Sequence, residues 1–180
     1  MDQRDVAPPL CVSRRHFLLT GGITVMTILL VDGMIPGRGQ AALQVATYPR
    51  KKIASLNQLA LDTPVDFTYP RDDYYSASFV VKLGRPAGGG VGPERDVVAF
   101  NYLCTHMGGP LQGQYKAQYK IIGPCPFHLS TYDLTKHGMI VAGSGTESLP
   151  QVVLEVEKDD IYATGVMGLI YGYHGNLASV

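Results

Sequence analysis

Everything in the fold of this chain has to serve two short loops. The first reads Cys104-Thr105-His106-Met107-Gly108-Gly109-Pro110-Leu111, the second Cys125-Pro126-Phe127-His128-Leu129-Ser130-Thr131-Tyr132. Each offers one thiolate and one imidazole, spaced Cys-x-His and Cys-x-x-His, with 18 residues between the two pairs. Gly and Pro flank both pairs, which suits backbone wrapped closely around a bulky inorganic core. A structural zinc site usually groups its ligands by type, Cys with Cys and His with His, whereas each pair here is mixed. A Cys–His hydrolase needs only one of each and leaves the second pair without a role. Mixed pairs suit a centre with two inequivalent metals.

The rest of the composition agrees with a small scaffold around such a centre. The cysteines are Cys11, Cys104 and Cys125. With Cys11 in the N-terminal segment, the remaining two both belong to the loops, and no structural disulfide within the chain is expected. Lys+Arg and Asp+Glu balance at 15 each. With no basic excess, nucleic acid is not an expected partner. The 21 Gly, 12 Pro and 11 Tyr, with no Trp, predict many turns and short strands, an all-β chain. Strands are predicted at 51–54, 65–69, 76–83, 96–102, 119–123, 139–142, 151–157 and 161–165. A short helical turn fits within 55–61, and Lys158-Asp159-Asp160 reads as a hairpin turn. The glycine-rich segment 84–93 lacks the Gly-Lys-Ser/Thr ending and the following helix of a phosphate loop, so it reads as a flexible hairpin loop.

The first 42 residues read as an export signal, ahead of a domain spanning 43–180. Ser13-Arg14-Arg15-His16-Phe17-Leu18-Leu19 leads into an apolar run from residue 17 to 31, and small residues follow at 37–42. The paired arginines make it resemble a twin-arginine signal. The run holds 15 residues, about 22 Å as a helix, against a hydrocarbon core of about 30 Å. A cleaved leader is therefore favoured over a retained membrane anchor. The twin-arginine route exports folded proteins, which suits a chain that receives a metal centre in the cytoplasm, and a periplasmic location is expected.

Cys104-Thr105-His106 with Cys125-Pro126-Phe127-His128 resembles the Rieske iron–sulfur signature. That resemblance implies an all-β Rieske domain, an antiparallel sandwich or barrel carrying a small cluster-binding subdomain. It implies one 2Fe–2S cluster, its inner iron held by Cys104 and Cys125 and its outer iron by His106 and His128. Rieske potentials lie at about −150 to +300 mV, above the ferredoxin range, because neutral imidazoles replace two thiolates. The hydroxyls of Ser130 and Tyr132 match groups that donate to cluster-side sulfurs in high-potential members, which implies the upper half of that range. Cytochrome bc-type members join their loops by a disulfide, but the matching positions here are Gly109 and Phe127. Packing must then hold the loops, with residues 143–150 as a third cover. Met107 is expected as an apolar cover, and His137 and His174 as surface residues.

The wording of the loops, the leader and the lack of an attached catalytic domain make the chain similar to the small-subunit family of arsenite oxidases. This resemblance implies an oxidoreductase complex in which a large molybdopterin subunit with a 3Fe–4S cluster oxidises the substrate. The present chain would relay electrons to a periplasmic cytochrome c or copper protein, with no substrate-oxidising residue of its own. A Rieske subunit of a quinol-oxidising cytochrome bc complex and a free periplasmic carrier are the alternatives. Membrane association is expected only if the leader is retained.

Overall fold

The computed structural model describes residues 47–177. The leader, Cys11 and the expected boundary at 42/43 lie outside the described residues. In chain order the strands are β1 (Lys51–Ser55), β2 (Val65–Thr68), β3 (Ala77–Lys82), β4 (Val97–Asn101), β5 (Tyr115–Lys116), β6 (Ile121–Ile122), β7 (Thr131–Asp133), β8 (Met139–Ala142), β9 (Gln151–Glu157) and β10 (Asp160–Met167). Two single 3-10 turns, Leu56–Gln58 and Tyr74–Ser76, are the helical segments among the described residues. None of these residues forms a helix long and apolar enough to cross a membrane.

Six strands form a base sheet in the order β1-β10-β9-β4-β3-β2, and four form a smaller sheet in the order β5-β6-β7-β8. All named strand pairs are antiparallel. The small sheet is inserted between β4 and β9, so the base is made first from one side of the chain and completed from the other.

β3 and β4 are buried almost throughout, with patterns of Ala-Ser-Phe-Val-Val-Lys and Val-Val-Ala-Phe-Asn. Their alternating side chains feed two different cores. Phe79, Val81, Val98 and Phe100 point to one face, where they join Tyr102, Leu111, Ile122, Tyr132, Leu134 and Leu149 from the inserted lobe. Val80, Val97 and Ala99 point to the other, against Tyr69, Val152, Leu154, Ile161 and Ala163. A strand buried on both faces loses the apolar–polar alternation of a surface strand and reads as a continuous apolar run. The pairing register shifts between Lys52 and Ala54 and between Ala163 and Gly165, irregularities of the kind that raise a sheet's local twist.

The lobe is tied to the base by charge as well as by core. Asp62, in the β1–β2 connection, takes Lys120 Nζ at 2.6 Å on both carboxylate oxygens and the Tyr115 hydroxyl. Asp66 on β2 accepts from the Tyr102 hydroxyl and from Gln112 Nε2, each at 2.7 Å. Segment 84–93 does connect β3 to β4, but it is pinned more firmly than its glycines imply. Ala87 N donates to Arg95 O, Gly88 N to Thr135 O, and Gln151 Nε2 to Gly88 O.

Candidate metal centre

The two loops have the same backbone. In the first, Cys104 N donates to Gly109 O at 3.0 Å and Gly108 N donates to Cys104 O at 2.8 Å. In the second, Cys125 N donates to Ser130 O at 2.8 Å and Leu129 N donates to Cys125 O at 2.9 Å. Each cysteine thus closes a turn onto the fourth and fifth residues after it. The fourth residue adopts positive φ in both, 66° at Gly108 and 63° at Leu129. Glycine takes that conformation freely, whereas at leucine it is strained and must be held by the surrounding contacts.

These turns bring the four expected residues together. Cys104 and Cys125 are 1% exposed, form no disulfide and end the lobe-facing core. His106 is half-buried and His128 exposed. The two rings meet edge to face with centroids 4.6 Å apart. The thiols therefore lie inside and the imidazoles outside. His137 and His174 are elsewhere on the surface, and His137 Nδ1 pairs with Gln151 Oε1 at 2.8 Å.

The thiols are prepared unequally. Burial pushes the Cys104 thiol up, but hydrogen bonds from Tyr132, the His106 backbone and Ser130 outweigh it and favour the thiolate. Burial pushes Cys125 up, and the adjacent Cys104 adds to that rise. The Tyr132 hydroxyl lies 3.1 Å from Cys104 Sγ and 3.0 Å from Thr105 Oγ1. Burial, with Cys104 adding to it, pushes the phenol of Tyr132 up to about 12, so it keeps its proton and remains a donor. Ser130 Oγ accepts from Gly145 N at 3.1 Å, which leaves its own hydrogen for the sulfur side.

Close approach explains the glycines. A β-carbon on Gly109 would lie 2.6 Å from Cys125 Sγ and 3.1 Å from the Phe127 ring. Gly109 and Phe127 are thus neighbours across the two loops, joined by packing. A β-carbon on Gly143 would lie 2.4 Å from Ser130 N and Cα, and Thr105 Oγ1 donates to Glu147 O at 3.1 Å. Residues 143–150 therefore cover both loops. Thr105 was the residue whose part was hidden in the sequence, where only its place between two ligand candidates marked it. Met107, expected as a cover, is instead 53% exposed, and Phe127 and Leu129 of the second loop are exposed as well.

One atom tests whether this cradle suits a metal group. His106 Nδ1 is buried without a hydrogen-bond partner among the described residues. A buried polar nitrogen is seldom left without a partner, and a ligand position accounts for it.

The chain matches the Rieske [2Fe-2S] domain over residues 70–164 and belongs to the Rieske iron–sulfur family. As a member it binds a 2Fe–2S cluster. It is similar to iodate reductase subunit IdrB of Denitromonas iodatirespirans, 57% identical over 170 residues that cover 93% of this chain and 88% of that one. The counterpart in Pseudomonas sp. (strain SCT) is 55% identical over 164 residues, covering 91% and 83%. Among solved structures, the soluble domain of Rieske protein II (soxF) from Sulfolobus acidocaldarius superposes with a TM-score of 0.63 at 25% identity, covering 73% of this chain and 84% of that one.

Proposed function

We propose that this chain is the electron-transfer subunit of an oxyanion oxidoreductase, with its cluster held by Cys104 and Cys125 on the inner iron and His106 and His128 on the outer. The observation that carries this reading is the pair of matched turns, which put two buried thiols beneath two outward imidazoles and leave His106 Nδ1 without a protein partner. When bound, the cluster supplies one-electron chemistry in the Rieske potential range. The protein's own part is to exclude water from the thiols, aim the imidazoles outward and keep Tyr132 and Ser130 pointed at the sulfur side. The exposed side chains of Met107, Phe127 and Leu129 on the two loops offer a redox partner a short apolar contact.

The likeness to iodate reductase subunits along nine-tenths of the chain supports a large catalytic subunit that reduces an oxyanion, with electrons arriving through this chain. The resemblance of both loops to arsenite oxidase small subunits supports a second reading with the opposite flow, toward a cytochrome c or copper protein. In both readings the partner is a large molybdenum subunit, to which the arsenite oxidase resemblance adds a 3Fe–4S cluster, and the twin-arginine leader takes the assembly to the periplasm.

One preparation separates the two. The chain is purified with whatever accompanies it and assayed for molybdenum, for iodate-dependent oxidation of a reduced dye and for arsenite-dependent reduction of an oxidised one. Iodate turnover supports the first reading, arsenite turnover the second. A Rieske spectrum with neither activity and no molybdenum would overturn both in favour of a quinol-oxidising cytochrome bc subunit or a free carrier.

A further inference from the structure

The matched turns differ at one position. Leu129 supplies its own apolar side chain at the left-handed residue of the second loop, whereas Gly108 has none to supply. A β-carbon on Gly108 would lie 2.4 and 2.5 Å from Cε1 and Cδ1 of Tyr171. The ring of a residue near the C-terminus therefore stands where the first loop lacks a side chain.

The segment that delivers this ring is anchored in several ways. Ile170 is fully buried. Asn176 staples the segment to itself, accepting from Ile170 N at 3.0 Å and donating to Gly168 O at 2.8 Å. The Tyr173 hydroxyl donates to Asp73 Oδ1 and lies 2.8 Å from Ser76 Oγ. The Arg71 guanidinium covers the Tyr173 ring at 4.2 Å and donates to Gly175 O at 3.2 Å.

A second glycine completes the connection. A β-carbon on Gly172 would lie 2.5 Å from the Tyr75 ring, which meets Tyr173 edge to face at 5.7 Å. Tyr75 O accepts from Asn101 Nδ2 at 2.8 Å, and Asn101 Oδ1 accepts from Leu103 N at 2.9 Å, next to Cys104. The contacts form a closed circuit, out through Asn101 and Tyr75 and back to Gly108 through Tyr171.

We infer that Tyr171 is a positioning residue for the first cluster loop, its ring holding the Gly108 turn, and with it His106, while residues 168–176 act as the strap that carries the ring. This rests on the ligand assignment proposed above. The second loop is held separately by Gly143, Gly145 and Ser130. Loss of the ring therefore loosens one side of the centre and leaves the other covered, a local opening rather than global unfolding.

The test uses the full chain with its natural partner, as wild type, Tyr171→Ala, Tyr171→Phe and Leu169→Ala, the last removing an exposed side chain of the same strap. Iron release to a chelator, the electron paramagnetic resonance line shape of the reduced cluster and the thermal melt are recorded. Tyr171→Ala is expected to release iron roughly three- to tenfold faster and to broaden the spectrum. Tyr171→Phe restores both, since ring carbons make the contact, and Leu169→Ala matches wild type. If Tyr171→Ala fails to fold, Tyr171→Leu, which keeps apolar bulk without the ring, is read instead and shows the same faster release and broadening. Wild-type release and line shape in whichever of these two is read would overturn the inference, as would Tyr171→Phe behaving like Tyr171→Ala. A wild-type chain without a Rieske spectrum would instead overturn the ligand assignment, while a normal wild type beside a Tyr171→Ala with unchanged release and line shape sinks the strap alone.

Discussion

Tyr132 works at the junction of both loops, because its hydroxyl reaches Cys104 Sγ, Thr105 N and Thr105 Oγ1 within 3.2 Å. A donor aimed at a ligand sulfur stabilises the more negative, reduced form. Tyr132→Phe should therefore lower the midpoint potential by roughly 40–60 mV, the equivalent of about 1–1.4 kcal/mol for one electron. Ser130→Ala should shift it the same way, both checked by redox titration. An unchanged potential in both would remove the tuning argument. Cys104→Ser, His106→Ala, Cys125→Ser and His128→Ala should each abolish the assembled cluster, as iron and sulfide content will show. At this scale the spacing in the sequence marked the ligand candidates, and the Rieske resemblance pointed to the two hydroxyls. Thr105 and Tyr171 stayed silent because a threonine in a loop and a tyrosine near a terminus have no pattern until their neighbours are known.

Among the elements, the contact between Gly109 and Phe127 stands where a disulfide would otherwise join the loops. Phe127→Ala should leave the cluster assembled but speed its loss several-fold, measured as bleaching of its visible absorption. Asp62 is one of the lobe's polar attachments to the base. Burial pushes its carboxyl up, but Lys120 and Tyr115 outweigh that and hold it below its ordinary value. A depressed carboxyl stabilises the fold fully above about pH 4 and loses that contribution as pH falls through its lowered value. Asp62→Asn should cost about 2 kcal/mol near neutral pH and flatten the acid side of a melting-temperature profile, checked by thermal melts from pH 3 to 7. All eight predicted strands are present, with ends shifted by a few residues. The strands β5 and β7 were not foreseen, because two or three residues are too few to display an alternation.

At the scale of the whole molecule, the proposed export signal is open to a direct test. Replacing Arg14-Arg15 by two lysines should hold the chain in the cytoplasm with its cluster loaded, read by fractionation and iron content, and unimpaired export would refute the twin-arginine proposal. The sequence, through its resemblance to the Rieske signature, was enough for the family, the cluster and the all-β class, because two Cys–His pairs at short spacing are local properties of the chain and survive in a one-dimensional reading. It could not show which core each strand of the β3–β4 pair would feed, since both faces are apolar and burial depends on what is inserted between β4 and β9. The expectation of packing with residues 143–150 as a cover held, but the sequence could not show which contacts hold the loops without a disulfide. That answer lies in contacts between Gly108 and Tyr171, Gly109 and Phe127, and Ser130 and residues 143–145. Such contacts join residues far apart in the chain, and only the folded arrangement brings their surfaces within van der Waals reach.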